Sequence, residues 1–240
     1  RRNITALYDG EIRYTDEMLI APLLEKLKAV GLYDKTLLIL TSDHGEEFFD
    51  HSAWGHGYSV YDEALKVPLI IKFPAFQFKG NRYKNIVSLV DIMPTVLDYL
   101  DFSFSDIKMD GKSLIPVLMK KENEDRKFLA DLADNVLNYQ NSKKITTNQA
   151  RIKLILNKDS SFRDNEFFRF QPPDIPPVEI YDLEMDYIEK NNIVEDYPDL
   201  ARRIIVWIDD FYSKAKKKDV KKMVMDENLK EQLRALGYIR

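Results

Sequence analysis

The chain has 240 residues, of which 45% are hydrophobic and 32% charged, enough for one large globular domain or two small ones. Its net charge of -4, from 36 basic and 40 acidic residues, argues against a nucleic-acid partner. There is no cysteine, which excludes a disulfide framework and a thiolate nucleophile or metal ligand. No apolar run reaches membrane-spanning length and no signal peptide opens the chain.

The first residue is Arg1 and not Met, so the sequence reads as a processed product or a segment of a longer protein. From Thr15, "TDEMLIAPLLEKLKAVG" predicts a helix, with Thr15 as its N-cap, Gly31 as its stop and Pro22 as a kink or a displaced start. Leu19, Leu23, Leu24 and Leu27 form an apolar stripe at helical spacing. "TLLILTS" (Thr36 to Ser42) and "VPLIIKF" (Val67 to Phe73) have the pattern of strands buried on both faces. A helix followed by such a strand predicts a βαβ arrangement and a parallel sheet. "SLVDIMPTVLDYL" predicts a helix capped by Asp91, and "DGKSLIPVL" a turn into a short helix.

After "KKENEDRK" the character changes, and a boundary near Lys120 divides the chain into residues 1–120 and 121–240. "FLADLAD" and "RIKLILN" read as strands, the second placing Ile152, Leu154 and Leu156 on one face. "QPPDIPP" is a proline-rich loop, and "YPDLARRIIVWIDDFYSKAKKK" an amphipathic helix followed by another at "ENLKEQLRALGY". The expected fold class is α/β, a mostly parallel sheet between helices, with a small α+β C-terminal subdomain of antiparallel sheet and helices. The run "KAKKKDVKK" reads as a solvated helix end.

All three histidines fall within thirteen residues, in "TSDHGEEFFDHSAWGHG", beside Asp43, Glu46, Glu47 and Asp50. This stretch begins where a predicted strand ends, and in open α/β sheets ligand sites gather outside the carboxyl ends of the strands. Asp43 and His44 would offer a metal one oxygen and one nitrogen, with Gly45 allowing a sharp turn just after. Mixed O/N ligation suits Zn or Mn, and an oxygen-rich remainder turns a site toward Ca or Mg. His56, between two glycines, can approach a ligand closely, and protonated it suits an anionic oxygen. The competing reading is a solvated acidic loop whose histidines bond locally. For His51 alone that reading leads, with Asp50 and Ser52 as its partners. Glu46 and Glu47 read as a charged loop or helix start, and Trp54 as a packing anchor. Tyr58 and Tyr61 suit either the rim of a site or packing.

The blocks "YDGEIRYTDEML", "LEKLKAVGLYDKTLLILTSDHGEEF", "WGHGYSVYDEALKVPLIIKFP", "SLVDIMPTVLDYL", "DGKSLIPVL", "EIYDLEMDYIEKNNIVEDYPDLARRI" and "LRALGYI" together closely resemble the sulfatase family, within the alkaline-phosphatase-like superfamily. The resemblance covers nearly the whole chain in the family's order, apart from about Lys121 to Arg151 and the proline-rich loop. It implies that Asp43 and His44 bind a divalent cation, with Ca preferred over Mg, Mn or Zn. It implies that His56, at a position often Lys, contacts sulfate or phosphate oxygens, and that His51 belongs to the same catalytic stretch. Ser52 stands where the family commonly has glycine.

The implied function is sulfuric ester hydrolysis on a sulfate-ester small molecule or glycan. The complete relatives are commonly exported, to the periplasm, the exterior or the lysosome. The family's nucleophile lies in an N-terminal "C-x-P-S-R" type motif that this chain lacks, which implies an N-terminal half-domain outside it. Two other readings stand beside this one. One is a phosphoester or phosphonate hydrolase or phosphoglycerol transferase of the same superfamily, and the other is a non-catalytic sulfatase-like fragment.

Overall fold

The computed structural model describes residues 2–52, 54–57, 59–103, 107–120, 127–131, 142–147, 152–157, 176–214, 227, 230 and 231. The chain opens with a helical rod. Helix α1 (Arg2–Thr15) runs through a widened π turn (Asp16–Ile20) into α2 (Ala21–Ala29). Thr15 is therefore inside the rod, with helical backbone angles and no capping bond, and is not the start expected. Pro22 instead explains the wide turn just before it. Its nitrogen cannot donate to the carbonyl one turn back and its ring crowds that carbonyl, so the ladder slips locally. The stop at Gly31 is as expected. Gly31 takes φ +70°, its N–H donates to Lys28 O at 3.0 Å, and the Leu32 N–H donates to Leu27 O at 2.9 Å.

Strand β1 (Leu38–Thr41) pairs with β4 (Leu69–Lys72), and between them the chain makes a small hairpin, β2 (Glu47–Phe48) and β3 (Trp54–Gly55), and a single helical turn, α3 (Asp62–Leu65). The β1–β4 pair is antiparallel, Leu38 opposite Lys72 and Thr41 opposite Leu69, where parallel pairing was expected. A parallel neighbour needs a crossover long enough to carry the chain back to the start of the first strand. Here the connection folds back at the end of β1, so β4 begins where β1 stops. Among the described residues, every strand pairing is antiparallel.

Helix α4 (Ile92–Tyr99) follows a tight turn in which Ser88 and Asp91 form a capping box. Asp91 is buried and holds two segments, accepting from the Ser88 N–H and the Lys112 N–H at 2.9 Å each. The short helix expected in "DGKSLIPVL" is α5 (Ile115–Leu118).

The expected antiparallel sheet with one long helix is present. Strands β5 (Lys127–Asp131), β6 (Ser142–Thr147), β7 (Ile152–Asn157) and β8 (Val178–Asp182) form a four-stranded sheet in that order. Helix α6 (Pro198–Lys214) packs Ala201, Ile204 and Ile208 against Leu154 and Ile180. Ile152 and Leu156 join this cluster, as the alternation in "RIKLILN" requires. The opposite face is covered as well. Ile155 and Tyr181 meet Val60, Tyr61 and Leu65, so the segment around α3 lies on the far side of the sheet from α6. The expected strand "FLADLAD" is described only through Asp131, and most of "QPPDIPP", "KAKKKDVKK" and "ENLKEQLRALGY" lies outside the described residues.

Candidate functional site

The histidine stretch leaves the end of β1, turns through the β2–β3 hairpin and returns at α3. Three side chains converge there. Ligand atoms of His44, Glu46 and His56 all lie within 4.8 Å of one another. The His44 and His56 rings stack with centroids 4.0 Å apart. His56 Nδ1 lies 2.8 Å from Glu46 Oε2, and His44 Nδ1 lies 2.9 Å from its neighbour's carbonyl, Gly45 O. A carboxylate and a carbonyl can only accept, so Nδ1 is the donor in both rings and Nε2 lies outside these two bonds. A carboxylate bonded to the far nitrogen of a histidine fixes its orientation, which is Glu46's relation to His56.

Asp43 adjoins this group. Its Oδ2 is 3.8 Å from His44 Nε2, and its Oδ1 accepts from the His44 N–H at 3.0 Å. Its slight burial works to raise its pKa. The His44 charge and hydrogen bonds from the backbone of His44 and Asp43 and from Ser42 Oγ outweigh that and hold it below the usual carboxylate range. Two imidazole nitrogens and two carboxylates on one exposed rim make a donor set that fits a divalent cation.

Gly45 has a role different from the sharp turn expected. Its N–H donates to Ala64 O at 2.8 Å, and a Cβ on it would sit 1.9 Å from Glu63 O. The residue must lack a side chain so that the loop can lie flat on α3. Positive φ angles are found on the hairpin, at Phe49 (65°), Ser52 (67°), Gly55 (98°) and Gly57 (86°). Ser52 therefore occupies a left-handed position that favours glycine.

His51 is not brought to the group. Its ring is buried against Tyr61, centroids 3.6 Å apart and nearly parallel. Its Nδ1 meets Glu63 Oε1 at 2.6 Å and its Nε2 meets Glu189 O at 2.8 Å, so both nitrogens are taken. The partners of His51 are Glu63 and the sequence-distant Glu189 carbonyl, where Asp50 and Ser52 were expected. Burial alone would lower the His51 pKa, but the bonds to Glu63 and to the Glu189 carbonyl raise it overall, and Glu63 is correspondingly lowered against the effect of its own burial. Glu47 on β2 is fully buried, accepts from Ser59 Oγ at 2.5 Å and has a raised pKa, from burial first and from the nearby Glu63 and Asp50 charges.

Trp54 is half-exposed on β3 opposite Phe48 and does not anchor packing. Tyr61 is a packing residue, its hydroxyl donating to Glu179 at 2.8 Å, while Tyr58 lies outside the described residues. Sequence reasoning read Glu46 as part of a charged loop or helix start, and did not single out Glu63, Lys153 and Glu189. One signal was available: Lys153 shares its strand face with the apolar Ile155, which a solvent-facing side of a sheet would not favour.

Residues 1–102 match the sulfatase family model. Arylsulfatase K of Bos taurus is 35% identical over 127 residues, 53% of this chain and 23% of that protein. The multifunctional alkaline phosphatase superfamily protein PehA of Trinickia caryophylli is 28% identical over 218 residues, 86% of this chain and 40% of that protein. The chain thus spans less than half the length of these curated relatives. Among solved structures, BT33336S-sulf, from work on glycosaminoglycan metabolism by Bacteroides thetaiotaomicron, superposes with a TM-score of 0.65 at 20% identity, over 81% of this chain and 42% of that one. BT4656, solved with its substrate D-glucosamine-2-N,6-O-disulfate, gives 0.57 at 25% identity, over 82% and 38%. Over residues 1–102 the chain is thus similar to the sulfatase family, and about four fifths of it shares the fold of these solved structures.

Proposed function

We propose that this chain forms the later part of a sulfatase-type hydrolase that cleaves sulfuric esters with a divalent cation. The convergence of His44, Glu46 and His56 beside Asp43 carries the reading. Asp43 and His44 Nε2 hold the cation, Ca by family resemblance, while the nitrogen donors also suit Mn or Zn. A cation held there supplies Lewis-acid polarisation of the ester oxygens. His56, oriented by Glu46 through Nδ1, presents Nε2 to an anionic oxygen of the substrate and, protonated, balances its charge. His51 serves by holding the loop, since both its nitrogens are engaged away from the group.

The nucleophile this reading needs would lie outside this chain, in keeping with the 23% and 40% of the relatives' lengths that the chain spans. Exposed apolar side chains on α1 and the π turn after it (Leu7, Ile12, Met18, Leu19) and on the β1–β4 pair (Leu40, Ile70) suit a covering neighbour. Residues 1–120 then complete the catalytic domain and 121–240 form its C-terminal subdomain. The substrate class is a sulfate ester of a small molecule or glycan, in keeping with the disulfated glucosamine of BT4656. In the protein that contains this chain, Asp43→Ala abolishes metal-dependent hydrolysis of an aryl sulfate and leaves the melting temperature nearly unchanged. Turnover retained at saturating metal overturns the assignment. The match to PehA over most of the chain favours a second reading, hydrolysis of phosphoesters or phosphonates at the same residues. Faster turnover of an aryl phosphate than of the aryl sulfate would select it.

A further inference from the structure

The one-turn helix α3 lies between the candidate site and the four-stranded sheet, and it is tied to both. On the site side, the Gly45 N–H donates to Ala64 O at 2.8 Å, and Gly45 O in turn accepts from His44 Nδ1 at 2.9 Å. On the sheet side, Glu189 Oε2 accepts the Asp62 N–H at 2.6 Å, although the two residues are 127 positions apart. No side chain from α3's own preceding residue caps it, so Glu189 provides the cap. Lys153 on β7 donates to Asp62 Oδ1 at 2.9 Å and also contacts Glu189 Oε1. The main chain of Glu189 makes a second tie, accepting from His51 Nε2 while His51 Nδ1 bonds Glu63 on α3.

The ammonium of Lys153 and the carboxylate of Glu189 have no solvent exposure at all. Burying two charges costs several kcal/mol per ion, and a well-packed apolar pair of similar volume often matches or exceeds such a pair in stability. Stability alone therefore gives a weak reason for this arrangement, whereas the hydrogen-bonded path from it to His44 gives a specific one.

We propose that Lys153 and Glu189 are positioning residues for the His44–Glu46–His56 group. By clamping Asp62 they fix α3, α3 fixes Gly45, and Gly45 fixes the ring of His44 and the direction of its Nε2. The four-stranded sheet thus sets the aim of a ligand more than a hundred residues away in sequence. This rests on reading the group as a cation site.

The chain has three histidines, so its ring ¹⁵N spectrum contains three sets of signals. Lys153→Met, Glu189→Gln and Lys153→Arg are compared with the unmodified full chain by those signals, by Mn²⁺ titration and by thermal unfolding. Lys153→Met shifts or broadens the His44 and His56 ring signals and weakens Mn²⁺ binding by about ten- to a hundredfold, the range for groups that orient a ligand. Lys153→Arg restores most of both. If Lys153→Met fails to fold, Glu189→Gln, which keeps shape and removes charge, shows the same shifts at smaller size. A lowered melting temperature with His44 and His56 signals and Mn²⁺ affinity unchanged in the folded variants overturns the proposal. If the unmodified chain takes up no Mn²⁺, the cation reading fails, and the metal-free ring signals still decide whether the sheet positions His44.

Discussion

Two strand pairs in this molecule have similarly apolar sequences and opposite fates. In β7 and β8, Leu154 and Ile180 are fully buried under α6, and Ile155 and Tyr181 are buried beneath the α3 segment on the other face. In β1 and β4, Leu40 and Ile70 remain 43% and 60% exposed. Apolar strand content therefore states a requirement for cover without saying what provides it. For β7 and β8 the cover comes from within the described residues. For β1 and β4 it does not, and the candidate site sits at the end of that less covered pair, held from behind by the fully covered sheet.

The comparison can be broken most directly in the buried sheet. Ile180→Ala removes a side chain packed with Leu154 of β7 and with α6, and is expected to cost about 2–5 kcal/mol in urea unfolding. A cost below about 1 kcal/mol would mean that this sheet is no better packed than the β1–β4 pair. The junction between the two regions comes next. Gly45→Ala forces a Cβ against Glu63 O, so an overpacking loss of about 1–3 kcal/mol is expected, with the His44 signals displaced. Unchanged stability would show that the loop does not rest on α3.

A smaller effect is the pH dependence of the same junction. The His51 pKa is raised on folding, so its contribution is fully present below its ordinary value of 6.5 and is lost as pH climbs through the raised one. The Glu63 pKa is lowered, so its contribution is fully present above its ordinary 4.5 and is lost as pH falls through the depressed one. The pair is thus strongest between about pH 4.5 and 6.5. His51→Gln should remove part of the fall in the urea midpoint on the alkaline side, and an identical alkaline limb in the variant counts against the pair.

Ser52→Gly relieves a left-handed backbone position and should raise stability by about 0.5–1 kcal/mol, sharpening the hairpin without touching the site. The smallest effect expected is Ile70→Ala, within about 0.5 kcal/mol in this chain because the side chain is mostly solvated. The same substitution costing several times more in a longer form of the protein would show that β4 gains its cover there.

The sequence by itself determined the local units. The strand at "TLLILTS", the stop at Gly31, the inward face of Ile152, Leu154 and Leu156 and the amphipathic helix after Tyr197 follow from period, propensity and glycine geometry within a few residues. The clustering of Asp43, His44 and His56 was legible for the same reason, because these residues lie within fourteen positions. The tertiary structure decided how the units meet. The antiparallel direction of β4 depends on where the intervening chain folds back, which no period encodes. Glu189 bonds His51 and caps α3 from 138 and 127 positions away, and Lys153 reaches Asp62 from 91; hydrogen bonds between distant segments form only once packing brings them together. Thr15 failed as a helix start because capping preference is a local bias, and the helical rod on either side of it overrode that bias.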